Sequence, residues 1–337
     1  YNTMKKSTIT CDMEGRILTM NDGAEQVFGY PKDELIGKKR VSLFSPGEIV
    51  LQNVEGRLNE AVKEGEYVGK TNFIKKNGEK FNAKIRITPT FANGKDNPQT
   101  GYCGVTEVID EEVEVPINFS TKLIKVLAIT RMPFTSASIL PILAVGAYFA
   151  GVGDDLFNVT NFVLCIFGVL IAHLGVYVLN DYFDVKDGTD EANSDYFQQV
   201  SGGSRAIELG LISLSGTKKL GLILTAVALL IGGIVLLSTN PANLNSVIYI
   251  GLAGLFLGYF YTAPPLRLVA KKGLGELTIF LAFGPLITLG TAFAIFNGNL
   301  SSVDHNHLMN CLLIGVPMGL LTTNILLINE FLSLIHI

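Results

Sequence analysis

The stretch from Asn180 to Asp190, Asn-Asp-Tyr-Phe-Asp-Val-Lys-Asp-Gly-Thr-Asp, places four carboxylates directly after an apolar run that covers Val159 to Leu179. That run is long enough for a helix to cross a bilayer, which takes roughly 20 residues. A carboxylate at the bilayer centre costs about 2.5–3.5 kcal/mol on insertion scales. The cluster therefore predicts a polar site at the membrane surface, at the end of a transmembrane helix.

The composition of the 337-residue chain changes sharply along its length. Residues 1–118 are polar and strand-like, whereas the following part repeats long apolar spans separated by short polar loops. This pattern predicts an α+β soluble domain followed by an all-α polytopic membrane domain. The net charge of −4 and the scatter of the basic residues predict no nucleic-acid partner. The four cysteines have no metal-binding spacing.

Six apolar spans of near-transmembrane length follow the polar part. They cover residues 134–151, 159–179, 218–238, 246–263, 275–297 and 308–331. Alternate connections contain no Lys or Arg, and the others, such as those with Arg205 and Lys272, are basic. The positive-inside rule then places the acidic loop and the N-terminal domain on the cytoplasmic side of a cell inner or plasma membrane.

The polar part alternates short strand-like segments with turn signals such as Asn77-Gly78. The segments are 9–13, 16–21, 73–76, 81–89 and 101–110. Residues Asp12–Ile17, Ala24–Tyr30 and Lys76–Glu79 resemble a PAS domain, and the resemblance covers residues 5–112. It implies a sensor domain for haem, flavin or a metabolite, or a ligand-free docking or dimerisation module.

The ligand of the PAS-like domain is unknown from its sequence. The domain contains no histidine, which excludes the usual histidine-ligated haem. Cys11 and Cys103 do not lie in a flavin-adduct-like motif. The sequence leaves both roles, sensor and docking module, open.

The acidic stretch has the chemistry of a site for a metal-bound diphosphate, because carboxylates hold Mg²⁺ and basic side chains take phosphate oxygens. Asn180 and Asp184 fall on one helix face with Asp181 beside them, and Asp190 continues into the loop. A lone acidic loop is usually a solvated turn, but this one is followed by a segment with free backbone N–H groups and a guanidinium. That segment consists of Gly202, Gly203, Ser204 and Arg205.

These residues resemble the UbiA-type intramembrane aromatic prenyltransferases, over residues 121–331. Asn180, Asp181 and Asp184 match the family's Asn-Asp-x-x-Asp motif, and Asp190 matches a further family acid. The other matching segments are Thr130–Phe134, Gly202–Arg205, Tyr261–Leu266, Lys272–Glu276 and Phe283–Pro285. They look most like the branch that prenylates 1,4-dihydroxy-2-naphthoate in menaquinone biosynthesis.

The resemblance implies a helical barrel around a cavity, with a magnesium-bound prenyl diphosphate at its cytoplasmic mouth. In that mechanism Asp181 and Asp184 hold Mg²⁺ together with Asp190. The residues that draw charge off the departing diphosphate are Arg131, Arg205 and Lys272. The remaining substrate-binding residues are Asn180, Gly202, Gly203, Ser204, Tyr259 and Tyr261, of which the tyrosines either stabilise the allylic cation or form an interfacial belt.

The partners implied are therefore a prenyl diphosphate, an aromatic acceptor and the lipid bilayer, with the PAS domain available for dimerisation. The PAS domain would then adjust the activity to redox state or to a metabolite. Neither the oligomeric state nor the prenyl chain length is predicted.

The end of the chain departs from the family, whose members have about nine helices and a second aspartate-rich motif. The nucleotide sequence CTG TCT CTT ATA CAC ATC encodes Leu332–Ile337. That nucleotide sequence is a transposase adaptor used in sequencing libraries. We therefore expect Phe331 to be the last native residue of this sequence and the natural protein to continue beyond it. We also expect this truncated chain to be inactive. The predicted organisation is a PAS-like domain at 1–118, a truncated prenyltransferase domain at 119–331 and an adaptor-derived tail at 332–337.

Three alternatives stay open. The same chemistry could act on homogentisate, 4-hydroxybenzoate, a chlorophyllide, haem or a glyceryl phosphate. The protein could instead be a non-catalytic PAS-bearing membrane sensor. The two parts could also have been joined by misassembly, although the short acidic linker Glu111–Asn118 reads as a natural juncture.

Overall fold

The computed structural model describes residues 6–115, 117–186, 206–207, 211–303 and 305–335. The chain divides into two compact units, with the main boundary between Val126 and Leu127. The first unit is built on a β-sheet and the second is helical. The fold class predicted from the sequence, an α+β domain followed by an all-α domain, is confirmed.

The first unit contains a five-stranded antiparallel sheet with the strand order β2-β1-β5-β4-β3. The strands are β1 (Lys6–Asp12), β2 (Ile17–Met20), β3 (Tyr67–Ile74), β4 (Lys80–Thr90) and β5 (Gly101–Val108). Between β2 and β3 lie α1 (Asp22–Phe28), α2 (Lys32–Leu35), a 3₁₀ turn (Val41–Phe44) and α3 (Gly47–Glu64). β3 begins well before the predicted start at residue 73, because it pairs with β4 from Tyr67 opposite Ile87 onward.

The interior of this unit is filled by aromatic rings around Phe28. Phe28 is 1% exposed, stacks on Phe44 at a centroid distance of 4.0 Å and meets Phe73 edge-on at 5.6 Å. Asn21 fixes the start of α1, since its Oδ1 accepts the Ala24 N–H at 2.9 Å. Gly29 ends the helix with a φ of 77°, which glycine adopts without strain. These caps direct Phe28 against the sheet.

The second part of the chain is a series of helices. They are α4 (Phe119–Thr130), α5 (Ser136–Ala150), α6 (Val159–Lys186), α7 (Leu214–Ser238), α8 (Leu244–Phe260), α9 (Leu274–Leu281), α10 (Ile287–Ile295), α11 (Leu300–Val303) and α12 (His305–Ile335). A π-helical turn, Ala282–Leu286, joins α9 to α10, so that Leu274–Ile295 is continuous.

All six predicted apolar spans are helical, but they differ in length. Among the described residues, four helices are long and apolar enough to cross a membrane: α6, α7, Leu274–Ile295 and the His305–Ile328 part of α12. α5 and α8 contain only 15 and 17 residues. The spans predicted from hydropathy are longer than these two helices, because they include apolar residues of the 3₁₀ turn Met132–Thr135 and of the turn that follows Phe260.

Buried asparagines tie together one end of the helical unit. The side chain of Asn161 donates to the Ala294 carbonyl at 2.7 Å. The side chain of Asn243 donates to the carbonyls of Phe296 at 3.1 Å and Gly298 at 2.9 Å, and its Oδ1 accepts the Leu300 N–H at 3.1 Å. These bonds satisfy backbone groups that find no water within a bilayer. They hold three helix connections together at the end opposite the acidic residues.

Glycines allow α12 to approach the π-helical turn closely. A Cβ added at Gly284 would lie 2.6 Å from the carbonyl oxygen of Gly315 and 3.0 Å from the Cα of Gly319. Small residues are typical of such close helix contacts in membranes. Gly284 cannot move away from α12 without opening this contact. Because Phe283 is the preceding residue in the chain, the contact also fixes its position.

Candidate active site

The helical unit contains a partly open cavity of about 1000 Å³. Its walls are mostly aliphatic side chains and glycines from α6, α7, α8 and the continuous helix Leu274–Ile295. Among the described residues, the charged side chains that line it are Arg131, Asp184 and Arg267. The cavity is therefore an apolar space whose charges come from a few specific positions.

The last turns of α6 supply the aspartate motif. The helix runs on to Lys186, so Asn180, Asp181 and Asp184 are all helical. Asn180 and Asp184 line the cavity, whereas Asp181 is 4% exposed and lies beside it. The hydroxyl of Thr262 donates to Oδ1 of Asn180 at 2.6 Å, which fixes the end of α6 to the connection after α8.

Arg131 faces this motif from the connection between α4 and α5. Its Nη1 lies 3.9 Å from Oδ1 of Asp181. Its guanidinium carbon lies 5.0 Å from the ring centroid of Tyr177 and 5.4 Å from that of Phe134. A guanidinium over two ring faces is held by cation–π attraction in a planar orientation suited to phosphate oxygens.

Two arginines at the cavity have left-handed backbone conformations. Arg131 has a φ of 52° and Arg267 a φ of 41°, and in the described part of the chain they are the two non-glycine residues with positive φ. Such a conformation costs of order 1–3 kcal/mol, and strained residues cluster at functional sites. The two strained arginines therefore mark the same cavity that the aspartate motif borders.

The other predicted site residues are distributed unevenly. Tyr261 lines the cavity, whereas Tyr259 is 46% exposed and meets Phe183 edge-on at 5.9 Å, outside the lining. Lys272 is exposed, in the turn before α9, and also lies outside the lining. The remaining predicted residues lie outside the described part of the chain: Asp190, Gly202, Gly203, Ser204 and Arg205.

Sequence reasoning missed several polar residues of the cavity. Arg267 was not among the predicted site residues, although it lies in one of the basic connections between the apolar spans. Ser138, His173 and Thr262 were not singled out, although all three line the cavity. The only sequence signal for His173 was its place one helical turn before Tyr177 and two turns before Asp181 on the same face of α6.

The described residues can hold a metal only together with a ligand. Within them, no group of three or more His, Cys, Asp or Glu side chains converges on one point. Asp181 and Asp184 give hard oxygen donors on successive turns, and Mg²⁺ is usually held by one or two carboxylates plus substrate phosphates. The donor set therefore fits Mg²⁺ shared with a phosphate ligand, beside the Arg131 guanidinium.

The fold and the site define a membrane-embedded helical protein with a polar end suited to an anionic ligand. A profile of the UbiA prenyltransferase family matches residues 138–334, and a profile of the PAS domain matches residues 5–108. The chain belongs to the UbiA prenyltransferase family and carries an N-terminal PAS domain. Both resemblances predicted from the sequence are confirmed. With its four long apolar helices, the protein is an integral membrane protein.

Two curated relatives have related names. The 2-carboxy-1,4-naphthoquinone phytyltransferase of Arabidopsis thaliana chloroplasts is 30% identical over 258 residues, which cover 75% of this chain and 60% of that protein. The 2-carboxy-1,4-naphthoquinone phytyltransferase of Synechocystis sp. is 26% identical over 207 residues, which cover 61% of this chain and 59% of that protein. The chain thus spans about three fifths of the length of these relatives.

Among solved structures, a PAS domain from Colwellia psychrerythraea is 20% identical and covers 32% of this chain and 88% of that chain, with a TM-score of 0.30.

Proposed function

We propose that this protein is a magnesium-dependent prenyltransferase that transfers a polyprenyl group from an allylic prenyl diphosphate to 1,4-dihydroxy-2-naphthoate, in menaquinone biosynthesis. The observation that carries the proposal is the strained Arg131 held opposite Asp181 at an apolar cavity of about 1000 Å³. A charged head and a long apolar tail are the two parts of a prenyl diphosphate. The site supplies a matching environment for each part.

The carboxylates and arginines would bind the diphosphate. Asp181 and Asp184, with Asp190, would hold Mg²⁺, which when bound neutralises charge on the leaving diphosphate. Arg131 would donate to phosphate oxygens in a geometry kept by the rings of Tyr177 and Phe134. Arg205 and Lys272 are proposed for the same role on the strength of the family resemblance.

The apolar wall would protect the reaction. The allylic carbon–oxygen bond would break with its electron pair on the diphosphate, and a ring carbon of the acceptor would form the new carbon–carbon bond. That ring carbon would then release its former substituent, a proton or the carboxylate as CO₂, which restores the aromatic ring. Water would capture the allylic cation, so a wall of aliphatic side chains and glycines favours transfer over hydrolysis. Tyr261 lines the cavity, and in this proposal its ring would face the cation.

The relatives support a naphthalenoid acceptor. Both carry names that specify 2-carboxy-1,4-naphthoquinone as the ring to which a phytyl group is added. The carboxyl-bearing bicyclic ring of 1,4-dihydroxy-2-naphthoate has the same carbon skeleton. The other acceptors considered above then serve as competing substrates in the assay.

The orientation proposed here has the PAS domain and the acidic end of α6 in the cytoplasm. Basic residues in the connections at that end support it, among them Lys218 and Lys219 at the start of α7 and Lys271 before α9.

For the PAS domain we propose a regulatory role through contacts with another chain, with a PAS-mediated dimer as the simplest case. The aromatic rings packed around Phe28 support this role, because they occupy the interior in which a bound cofactor would need space. Size measurement of the detergent-solubilised protein with and without residues 1–118 tests the dimer, and prenyl transfer by both forms tests the regulation. A shorter form that retains both the size class and the activity would refute the role.

The enzyme assay uses the product of the complete native gene in membranes, a radiolabelled polyprenyl diphosphate and the panel of acceptors. We expect product with 1,4-dihydroxy-2-naphthoate, loss of product in the Asp181→Ala, Asp184→Ala double variant, and retention in Asp155→Ala, whose exposed carboxylate lies at the opposite end of the helices. The 337-residue chain, assayed beside it, tests the expectation that it is inactive. Folded protein without product from any acceptor would favour the non-catalytic sensor.

A further inference from the structure

A buried histidine in the cavity wall has one ring nitrogen bonded and the other without a partner. His173 on α6 is 6% exposed, and its Nδ1 lies 2.6 Å from the hydroxyl oxygen of Ser138 on α5. Its Nε2 is buried and has no hydrogen-bond partner among the described residues. Both side chains line the cavity. The imidazole is thus fixed by one nitrogen, whereas the other is covered by neighbouring side chains and has no hydrogen-bond partner among the described residues.

Neighbouring rings hold the imidazole in place. The ring centroid of Tyr177 lies 4.3 Å from that of His173, and the centroid of Phe283 lies 5.0 Å from it. Phe283 belongs to the π-helical turn, and π-helical turns are frequent at functional sites. Buried polar atoms in native proteins nearly always have a partner, so an unpartnered nitrogen in the wall of a ligand-sized cavity points to a ligand group as that partner.

The position of His173 relative to the aspartate motif suggests which ligand group this is. His173, Tyr177 and Asp181 follow one another at intervals of four residues on one face of α6. At 1.5 Å per residue, His173 lies about 12 Å along the helix from Asp181. A contact series joins them, because the Arg131 guanidinium approaches both the Asp181 carboxylate and the Tyr177 ring. Arg131, Tyr177 and His173 all line the cavity, whose volume of about 1000 Å³ can hold an aromatic ring beside this face of α6.

We propose that Nε2 of His173 forms a hydrogen bond with a ring hydroxyl of the aromatic acceptor, and that Ser138 is the positioning residue that holds the imidazole through Nδ1. The inference rests on the proposed function, since it assigns the acceptor side of the same cavity. Tyr177 and Phe283, which pack against the imidazole, also line the cavity beside it. A site that bonds a substrate hydroxyl discriminates strongly against the analogue that lacks it.

The test compares two ligands that differ by that hydroxyl, 1-hydroxy-2-naphthoate and 2-naphthoate, for binding to the detergent-solubilised product of the complete native gene. We expect the parent to bind the hydroxylated compound at least tenfold more tightly, and His173→Phe to bind both compounds equally. Phenylalanine keeps a ring between Tyr177 and Phe283, so the packing is retained. Ser138→Ala should reduce the discrimination partly.

The matched control is His307→Phe. His307 is bonded to Tyr148 at 2.6 Å and lies outside the cavity lining, so this variant should keep the parent's discrimination. In the transfer assay, His173→Phe should raise the KM for the acceptor at least tenfold and change the KM for the prenyl diphosphate less than twofold. A purely structural role would instead lower the yield of folded protein or shift both KM values together.

The inference is overturned if His173→Phe retains the discrimination, if the parent shows none, or if the parent binds neither compound. Its failure is distinct from failure of the proposed function. If the parent discriminates between the two compounds but transfers no prenyl group, the hydroxyl-binding site is supported and the proposed enzyme activity is refuted. If the parent transfers the prenyl group and His173→Phe discriminates as the parent does, the enzyme activity is supported and the role of His173 is refuted.

Discussion

Nη1 of Arg131 lies 3.9 Å from Oδ1 of Asp181, with the Arg131 side chain 20% exposed and that of Asp181 6% exposed. Arg131 belongs to the connection between α4 and α5 and Asp181 to α6, and the two groups meet where a largely apolar cavity becomes charged. A buried carboxylate needs a compensating charge, and a guanidinium supplies it in the absence of other cations. In the proposed function, binding of Mg²⁺ and diphosphate would replace the Arg131–Asp181 pair by two others: Asp181 with Mg²⁺, and Arg131 with the diphosphate.

The first prediction separates the function of Arg131 from its strain. Arg131→Gly and Arg131→Ala both remove the guanidinium, so transfer should fall by about 100-fold or more in each, as for loss of one charge-stabilising donor. Only glycine adopts the left-handed conformation freely, so Arg131→Gly should be more stable than Arg131→Ala by about 1 kcal/mol. Thermal unfolding in detergent measures this difference, and equal unfolding temperatures would contradict the assignment of strain.

A second prediction concerns Arg267, which lines the same cavity with a φ of 41°. Arg267→Gln should raise the KM for the prenyl diphosphate at least tenfold, because it removes a positive charge from the wall that receives an anion. Lys271→Gln is the control, since Lys271 is exposed and outside the lining. Similar kinetics for the two variants would show that Arg267 contributes only to membrane topology.

The third prediction tests the glycine contact between the π-helical turn and α12. Gly284→Ala places a Cβ 2.6 Å from a carbonyl oxygen, so it should destabilise the protein by about 1–3 kcal/mol, as overpacking does. Gly251→Ala meets open space and should be neutral or slightly stabilising. Unfolding in a denaturant series compares the two. A Gly284→Ala variant as stable as the parent would mean that the helices separate at little cost.

A fourth prediction concerns the asparagines opposite the acidic end. Asn243→Ala leaves the carbonyls of Phe296 and Gly298 and the Leu300 N–H without this side chain's hydrogen bonds, and should cost about 1–3 kcal/mol for each group left unsatisfied. Asn299→Ala, at an exposed position in the same region, should cost much less. The same thermal unfolding assay applies, and equal losses would show that burial does not decide the cost.

The PAS domain offers a prediction about pH. Burial raises the pKa of the Cys11 thiol from 9.0 to about 11, so the unfolded chain ionises first as pH increases. The contribution of the neutral, buried Cys11 thiol to the free energy of unfolding is complete below about pH 9 and is lost between pH 9 and about pH 11. The pH profile of Cys11 alkylation, followed by mass spectrometry, should have its midpoint near 11 in the native protein and near 9 in denaturant. A native midpoint near 9 would contradict burial of this thiol.

The fold and the aspartate motif were predictable because their signals are local. Alternation of polar and apolar residues indicated the sheet, the long apolar spans indicated the helices, and the Asn180–Asp184 spacing placed the motif on one helix face. The lengths of α5 and α8 were not predictable, because hydropathy does not show where a 3₁₀ turn replaces an α-helix.

The parts of the site that escaped prediction depend on contacts between distant segments. A lone histidine in an apolar run is usually a satisfied core residue, and only the position of Ser138 on another helix shows how His173 is held. Tyr259 and Tyr261 look equivalent in the sequence. They differ in the structure because α8 ends at Phe260 and the following turn directs Tyr261 to the cavity.

The most direct measurement of the central claim is the rate of prenyl transfer to 1,4-dihydroxy-2-naphthoate as Mg²⁺ is titrated, for the product of the complete native gene and for its Asp181→Asn variant. The account predicts no product in excess chelator, a saturable increase with Mg²⁺ in the parent, and at least 100-fold slower transfer in the variant. Transfer that survives chelation, or an Asp181→Asn variant as active as the parent, would contradict a diphosphate site between Asp181 and Arg131.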